Sequence, residues 1–186
     1  TLGCADTVTQ QITIYPLPTA AFTYSAVACL GGPITFTDTS NPNGGTITNW
    51  NWNFGNGQTS TGQNPVITFP TIGNYDVTLV VTNANGCTDT ILQTIAVNPP
   101  PVANAGANQT ICLGGSATLV ASGGGTYVWS PGGQTSDIIT VSPSSNTTYT
   151  VTVTDNNGCT ATASVNVTVN PLPVVNVSPA QSICVG

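Results

Sequence analysis

Two related stretches decide the fold: residues 73–87, GNYDVTLVVTNANGC, and residues 147–159, TTYTVTVTDNNGC. In both, apolar side chains alternate with Thr, Asp or Asn, which is the period of a strand with one buried face. Each strand ends in an Asn-Gly pair before a cysteine, and such pairs supply the positive φ of a hairpin turn. The Trp50, Trp52 and Phe54 side chains share one strand face in the same way. These short strands predict an all-β fold of antiparallel sandwiches.

The cysteines reveal an internal repeat. Cys4 and Cys29, Cys87 and Cys112, and Cys159 and Cys184 are each 25 residues apart, and each 25-residue interval contains a proline-rich stretch. Because proline lacks a backbone donor and stiffens the chain, we place domain boundaries at these stretches. We expect an excised piece of a longer repeat array, divided as follows: 1–18, last strand of a preceding repeat plus linker; 19–98, first sandwich; 99–101, proline linker; 102–170, second sandwich; 171–186, linker and first strand of the following repeat.

The charge inventory excludes several function classes. The 186 residues contain six Asp, no Glu and no Lys, Arg or His. Nucleic-acid binding is excluded because phosphates are neutralised by Lys and Arg. The chain has no apolar run long enough for membrane insertion. General acid-base chemistry would depend on scattered Asp residues alone, so we expect no enzyme, no catalytic residue and no cofactor.

A family resemblance is visible in residues 19–98. The stretch Trp50-Asn51-Trp52-Asn53-Phe54-Gly55-Asn56-Gly57, followed by Gly73-Asn74-Tyr75-Asp76-Val77, resembles a polycystic-kidney-disease-type (PKD) domain, although Asn56 replaces the usual Asp. Residues 102–170 resemble the Ig-like repeats of very large surface proteins of Bacteroidetes, which typically use the type IX secretion route and include gliding-motility adhesins. The resemblance therefore implies tandem Ig-like β-sandwiches.

The same resemblance implies a function at the cell surface. We expect a non-catalytic structural or adhesive segment of an extracellular surface protein or filament. Its partners would be neighbouring repeats of the same protein, with self-assembly into a fibre as a further possibility. The alternative is a carbohydrate-binding accessory module of a secreted enzyme, with surface glycans as ligands.

Six cysteines in an extracellular repeat protein suggest disulfide bonds. With an Ig-like strand order, Cys29 and Cys112 lie at the opposite end of a sandwich from Cys87 and Cys159. This arrangement predicts that Cys29 pairs with Cys159, leaving Cys87 and Cys112 for repeats outside the chain. If a strand is missing, Cys29 instead pairs with Cys87 and Cys112 with Cys159. Both pairings stay open, and Cys4 and Cys184 are further disulfide candidates.

Other candidate sites have a structural alternative. We expect core packing rather than a sugar-binding platform for five aromatic residues, namely Trp50, Trp52, Trp129, Tyr75 and Tyr149. Asp38, Asp76 and Asp155 offer only one carboxylate per turn, so we predict no metal site. Thr7 and Thr90 follow an Asp and precede an apolar residue, and this pattern is similar to the O-glycosylation motif of Bacteroidetes.

Overall fold

The structure, a computed structural model, describes residue 3, residues 6–25, residues 27–177 and residue 182. The chain divides into two compact units, Thr1–Pro99 and Pro100–Gly186. The described residues contain strands and turns but no helix. The predicted all-β fold of antiparallel sheets is therefore confirmed. No helix that could span a membrane occurs among these residues.

Unit 1 contains two sheets. Its strands are β1 Phe22–Tyr24, β2 Ile34–Asp38, β3 Ile47–Asn53, β4 Thr59–Ser60, β5 Val66–Ile67, β6 Gly73–Asn83 and β7 Thr88–Val97. One sheet has the order β1-β2-β5 and the other β4-β3-β6-β7, with antiparallel pairing throughout. The long β6–β7 hairpin is the predicted alternating stretch together with the strand that follows it.

Unit 2 repeats this plan. Its strands are β8 Gln109–Cys112, β9 Ala117–Val120, β10 Thr126–Ser130, β11 Ile138–Val141, β12 Thr147–Thr154 and β13 Thr160–Asn170. The order of the larger sheet is β10-β12-β13-β8, and β9 pairs with β11. Strand β8 runs parallel to the end of β13, whereas the other pairs are antiparallel. In this sheet, β8 is an edge strand that runs parallel to β13, next to the antiparallel strands β10, β12 and β13.

Each unit has its own hydrophobic core around a buried tryptophan. In unit 1, Trp52 contacts Phe22 edge-on with ring centroids 5.1 Å apart and stacks on Phe54. In unit 2, Trp129 is buried in a core formed by Tyr149 and aliphatic side chains from both sheets. Both indole N–H groups donate to a loop carbonyl, from Trp52 to Gly62 at 2.9 Å and from Trp129 to Ser136 at 3.0 Å. Because a buried indole N–H needs an acceptor, the loop after β4 in unit 1 and the loop after β10 in unit 2 are each fixed to the core.

Two described stretches lie in the end segments that were predicted to contain strands of neighbouring repeats, and that division into repeats stays a prediction. Residues 6–17 and 171–177 are not in strands. Ile12 and Ile14, eight and ten residues after Cys4, are 85% and 89% exposed. The residues at the same intervals after Cys87, Ile95 and Val97, are buried. A strand requires a ladder partner for its backbone groups, and none of the described strands pairs with either segment.

Candidate functional site

The cysteines form two classes with matching backbone environments. Cys87 and Cys159 lie one residue before the last strand of each unit, just after the hairpin turn; we call them the hairpin cysteines. Cys29 and Cys112 lie beside the end of that strand; we call them the edge cysteines. The structure thus places the four cysteines of residues 29–159 at two repeated positions.

The hairpin cysteines are held by an Asx-type turn. In unit 1, the Asn83 side-chain oxygen accepts the backbone N–H groups of Asn85 and Cys87, both at 3.0 Å. In unit 2, the Asp155 carboxylate accepts those of Asn157 and Cys159, at 2.9 and 2.8 Å. Since Asn and Asp offer the same acceptor oxygen, both sequences form the same turn.

The edge cysteines also share their hydrogen bonds. The residue after each cysteine donates its backbone N–H to the last asparagine before the prolines, from Leu30 to Asn98 at 2.9 Å and from Leu113 to Asn170 at 2.8 Å. Each cysteine carbonyl then accepts a glycine N–H three residues later, from Gly32 at 3.1 Å in unit 1. Both edge turns therefore present their cysteine at the same position relative to the last strand.

One member of each class is oxidised. Cys29 and Cys159 are disulfide-bonded, whereas Cys87 and Cys112 are free thiols. Within a unit, the edge and hairpin cysteines are separated by 11 residues of extended chain, as from Cys159 to Asn170, or about 35 Å. A disulfide requires Cα atoms within about 7 Å. The alternative pairing of Cys29 with Cys87 and Cys112 with Cys159 is therefore wrong. Cys4 and Cys184 lie outside the described residues.

The turn after β3 explains its glycine-rich sequence. Gly55 has φ +70°, and a Cβ there would lie 2.9 Å from the backbone oxygen of Asp76. Only glycine fits such a close approach to strand β6. Asn56 accepts the backbone N–H of Gln58 at 2.9 Å, as an Asp would, but its side-chain nitrogen is buried without a hydrogen-bond partner. The Phe-Gly-Asn-Gly stretch therefore leads from β3 towards β4 in a tightly packed turn that requires glycine at position 55.

Comparison with known proteins identifies this part of the chain, because residues 16–97 match the PKD domain family. These residues form a PKD domain. They are 40% identical over 82 residues to the pre-pro-metalloprotease PrtV of Vibrio cholerae, a match that covers 44% of this chain and only 9% of that protein. The expected Bacteroidetes origin is not shown, since this relative comes from Vibrio.

Solved structures are also similar. The PKD1 domain of the same Vibrio cholerae metalloprotease is 40% identical, with a TM-score of 0.42, and the match covers 45% of this chain and 99% of that domain. A structure of carbohydrate-binding modules from the β-sandwich superfamily is 25% identical, with a TM-score of 0.45, over 75% of this chain and 55% of that one. PKD domains are generally non-catalytic accessory modules and occur in extracellular proteins.

Side-chain hydrogen bonds hold the proline segment, residues 16–18, at the start of the PKD domain. Asn83, which is 1% exposed, donates its side-chain N–H to the Pro16 carbonyl at 3.1 Å. Asn43 likewise donates to the Leu17 carbonyl at 2.9 Å, and Pro18 is buried. The sequence placed residues 16–18 in a linker outside the sandwich, and the Asn83 contact was missed. Its signal is the Asn at a position where unit 2 has Asp155, which cannot donate.

The carboxylates are dispersed rather than grouped. No cluster of three potential metal ligands occurs among the described residues. Asp38 accepts the indole N–H of Trp50 at 2.7 Å and the backbone N–H of Ser40 at 3.0 Å. Burial raises the pKa of the Asp38 carboxyl, but the hydrogen bonds from Ser40, Trp50 and Gln63 together lower it below its ordinary value. Backbone N–H groups of Ala20 and Thr90 similarly lower the pKa of the Asp89 carboxyl.

The aromatic candidates do not present a flat exposed platform. Trp52, Trp129 and Tyr149 are buried in the two cores. Trp50 is half-buried with its N–H committed to Asp38, and the half-buried Tyr75 ring packs on Phe69 with ring centroids 4.3 Å apart. Sugar rings usually stack on accessible aromatic faces, so these side chains are placed for packing.

The two glycosylation candidates are exposed. Thr90 lies on strand β7, and Thr7 lies in the segment that is not in a strand. Exposure makes both hydroxyls accessible to modification, and O-glycosylation of either one stays a prediction.

We expect Asp38→Asn to remove a pH-dependent part of the PKD domain's stability. The lowered pKa means that the carboxylate stabilises the fold above about pH 4 and that this contribution is lost as the pH falls through the folded-state pKa. At pH 7, Asn should lower the free energy of unfolding by about 1 kcal/mol, because Asp38 is partly exposed and screened. Urea unfolding from pH 7 to pH 2 measures the difference, which should shrink below about pH 4. Asp6→Asn is the control for the lost charge, and an equal effect of that variant would contradict the assignment.

We expect Asn83→Asp to release the proline segment. The carboxylate keeps the turn acceptor but cannot donate to Pro16, and it is a charge at a buried position, so unfolding should become easier by about 1–3 kcal/mol. Hydrogen–deuterium exchange should be faster at the Thr19 amide, which follows the proline segment and donates to the Asn41 carbonyl at 2.7 Å. Asp155→Asn is the matched control, with an expected change of only about 0.5 kcal/mol. Unchanged exchange of the Thr19 amide in Asn83→Asp would mean that the hydrogen bond does not hold the segment.

Proposed function

We propose that this chain is a non-catalytic structural segment of an extracellular surface protein or filament. The observation that carries the proposal is the pair of cysteine classes: each unit has one hairpin cysteine and one edge cysteine at opposite ends of its last strand, and one of each class is disulfide-bonded. Cysteines at both ends of a repeated unit suit end-to-end joining of repeats. They do not suit a catalytic thiol, because no His accompanies them.

The prediction that Cys29 bonds Cys159 is part of this proposal. Cys87 and Cys112 are free, and neither bonded cysteine can reach the other position in its own unit. Among the described cysteines, the remaining pairing is an edge cysteine with a hairpin cysteine of another repeat. Such a bond would brace the proline-rich joint, which no ion pair between side chains can do in a chain without Lys, Arg or His.

A glycan-binding module is the competing proposal, and adhesion would be a third outcome. The glycan-binding alternative is supported by the similarity of this chain to a metalloprotease that contains a PKD domain and to carbohydrate-binding modules of the β-sandwich superfamily. The buried tryptophans argue against aromatic stacking on sugars. Surface location, the type IX secretion route and assembly into a fibre remain parts of the proposal.

The native object can be identified by electron microscopy with an antibody raised against this chain. A structural segment should be labelled at regular intervals along a rod or filament, since each repeat presents the same surface. Labelling confined to single secreted particles that carry hydrolase activity, together with binding of the chain to a glycan array, would overturn the structural proposal in favour of the accessory module. Binding to the array without such particles would add adhesion to the structural role.

A further inference from the structure

One free thiol belongs to each class of cysteine, and the backbone turns of the two free cysteines match those of the two oxidised cysteines. Cys87 has the turn of Cys159, with the cysteine N–H donated to the first turn residue at 3.0 Å in one and 2.8 Å in the other. Cys112 has the edge turn of Cys29, with the following leucine N–H donated to an asparagine carbonyl. The backbone turns that hold Cys29 and Cys159 are therefore present a second time at Cys112 and Cys87.

Both free thiols are accessible. Cys112 is exposed and Cys87 is half-buried, whereas the bonded hairpin cysteine, Cys159, is fully buried. A cleft of about 330 Å³ begins beside Cys112 at the half-exposed Leu113 and is also lined by Val169, Pro171 and Asn146. An exposed thiol bordered by apolar surface suits the docking of another turn, because burial of that surface accompanies bond formation.

We propose that Cys112 forms a disulfide with Cys87 of a second copy of this chain, so that copies join head to tail. The inference rests on the proposed structural function and names its partner. An edge-to-hairpin contact is heterologous: each copy uses one surface to bind forward and a different surface to bind backward. Such a contact leaves a free Cys87 at one end and a free Cys112 at the other, so it can continue to longer assemblies.

The chemistry requires a two-electron oxidant, for which a small-molecule disulfide such as oxidised glutathione is sufficient. The Cys112 thiolate attacks one glutathione sulfur, forms a mixed disulfide and releases one glutathione thiolate. The Cys87 thiolate of the second copy then attacks the Cys112 sulfur and releases the second glutathione. Two protein thiols are oxidised, one glutathione disulfide is reduced to two thiols, and the two protons pass to the released glutathione.

The test uses the full chain carrying Cys4→Ser and Cys184→Ser, incubated with oxidised glutathione and examined on non-reducing gels. This parent should form a ladder of dimers, trimers and longer species. Adding Cys87→Ser or Cys112→Ser should leave each variant monomeric, because each then lacks one complementary thiol. An equal mixture of the two variants should form dimers only, at about ten times the level of either variant alone.

The control relocates one thiol. In the Cys87→Ser chain, Thr90→Cys places an exposed thiol three residues along strand β7, and we expect it not to restore the ladder. Circular dichroism checks that every variant keeps its strands. Homodimers of either single variant, a monomeric mixture, or a ladder restored by Thr90→Cys would each overturn the proposal. None of these results would alter periodic labelling of a native filament, so failure here is distinguishable from failure of the proposed function.

Discussion

Every carboxylate in this protein must be stabilised without a cation, because the chain contains six Asp and no Lys, Arg or His. The structure meets this constraint with backbone and neutral side-chain donors. Asp38 uses an indole and a serine, Asp155 uses two turn amides, and Asp89 accepts the backbone N–H of Ala20 at 2.8 Å. These three carboxylates therefore act as acceptors of hydrogen bonds from backbone and neutral side-chain donors. Ordinary ion pairs make no contribution, and the stability of the fold should depend little on salt.

In a chain without cations, the choice of a single turn residue decides which hydrogen bonds a turn can make. The choice between Asn83 and Asp155 leaves the hairpin turn unchanged, yet only Asn83 can also donate to the Pro16 carbonyl. The residue at the position of Asn83 or Asp155 therefore determines two properties: where the hairpin cysteine lies, and whether the proline segment is held by a side-chain hydrogen bond. The edge turns are also repeated. The two units therefore have the same turns at the cysteine-bearing ends of their last strands and differ mainly in the rest of the sandwich.

The sequence was sufficient for the features that depend on local pattern. Alternation in residues 73–83 and 147–154 predicted the long strands, and the Asn-Gly pairs predicted the hairpins that follow them. It was not sufficient for features that depend on distant partners. The 6–17 segment has strand alternation but lies outside the strands, because alternation indicates a buried face and does not supply a ladder partner. The Asn83 contact joins residues 67 positions apart, which no periodicity reveals.

The proposed joining of repeats depends on one rule: an edge cysteine bonds a hairpin cysteine of another repeat. A disulfide map of the non-reduced chain tests this rule. Trypsin has no cleavage site in this sequence, so pepsin at low pH is the suitable protease, and acid also suppresses thiol exchange. The account predicts one linked peptide pair that contains Cys29 and Cys159, with Cys87 recovered as a free thiol in freshly isolated monomer. A peptide linking Cys29 to Cys87, or Cys112 to Cys159, would contradict it.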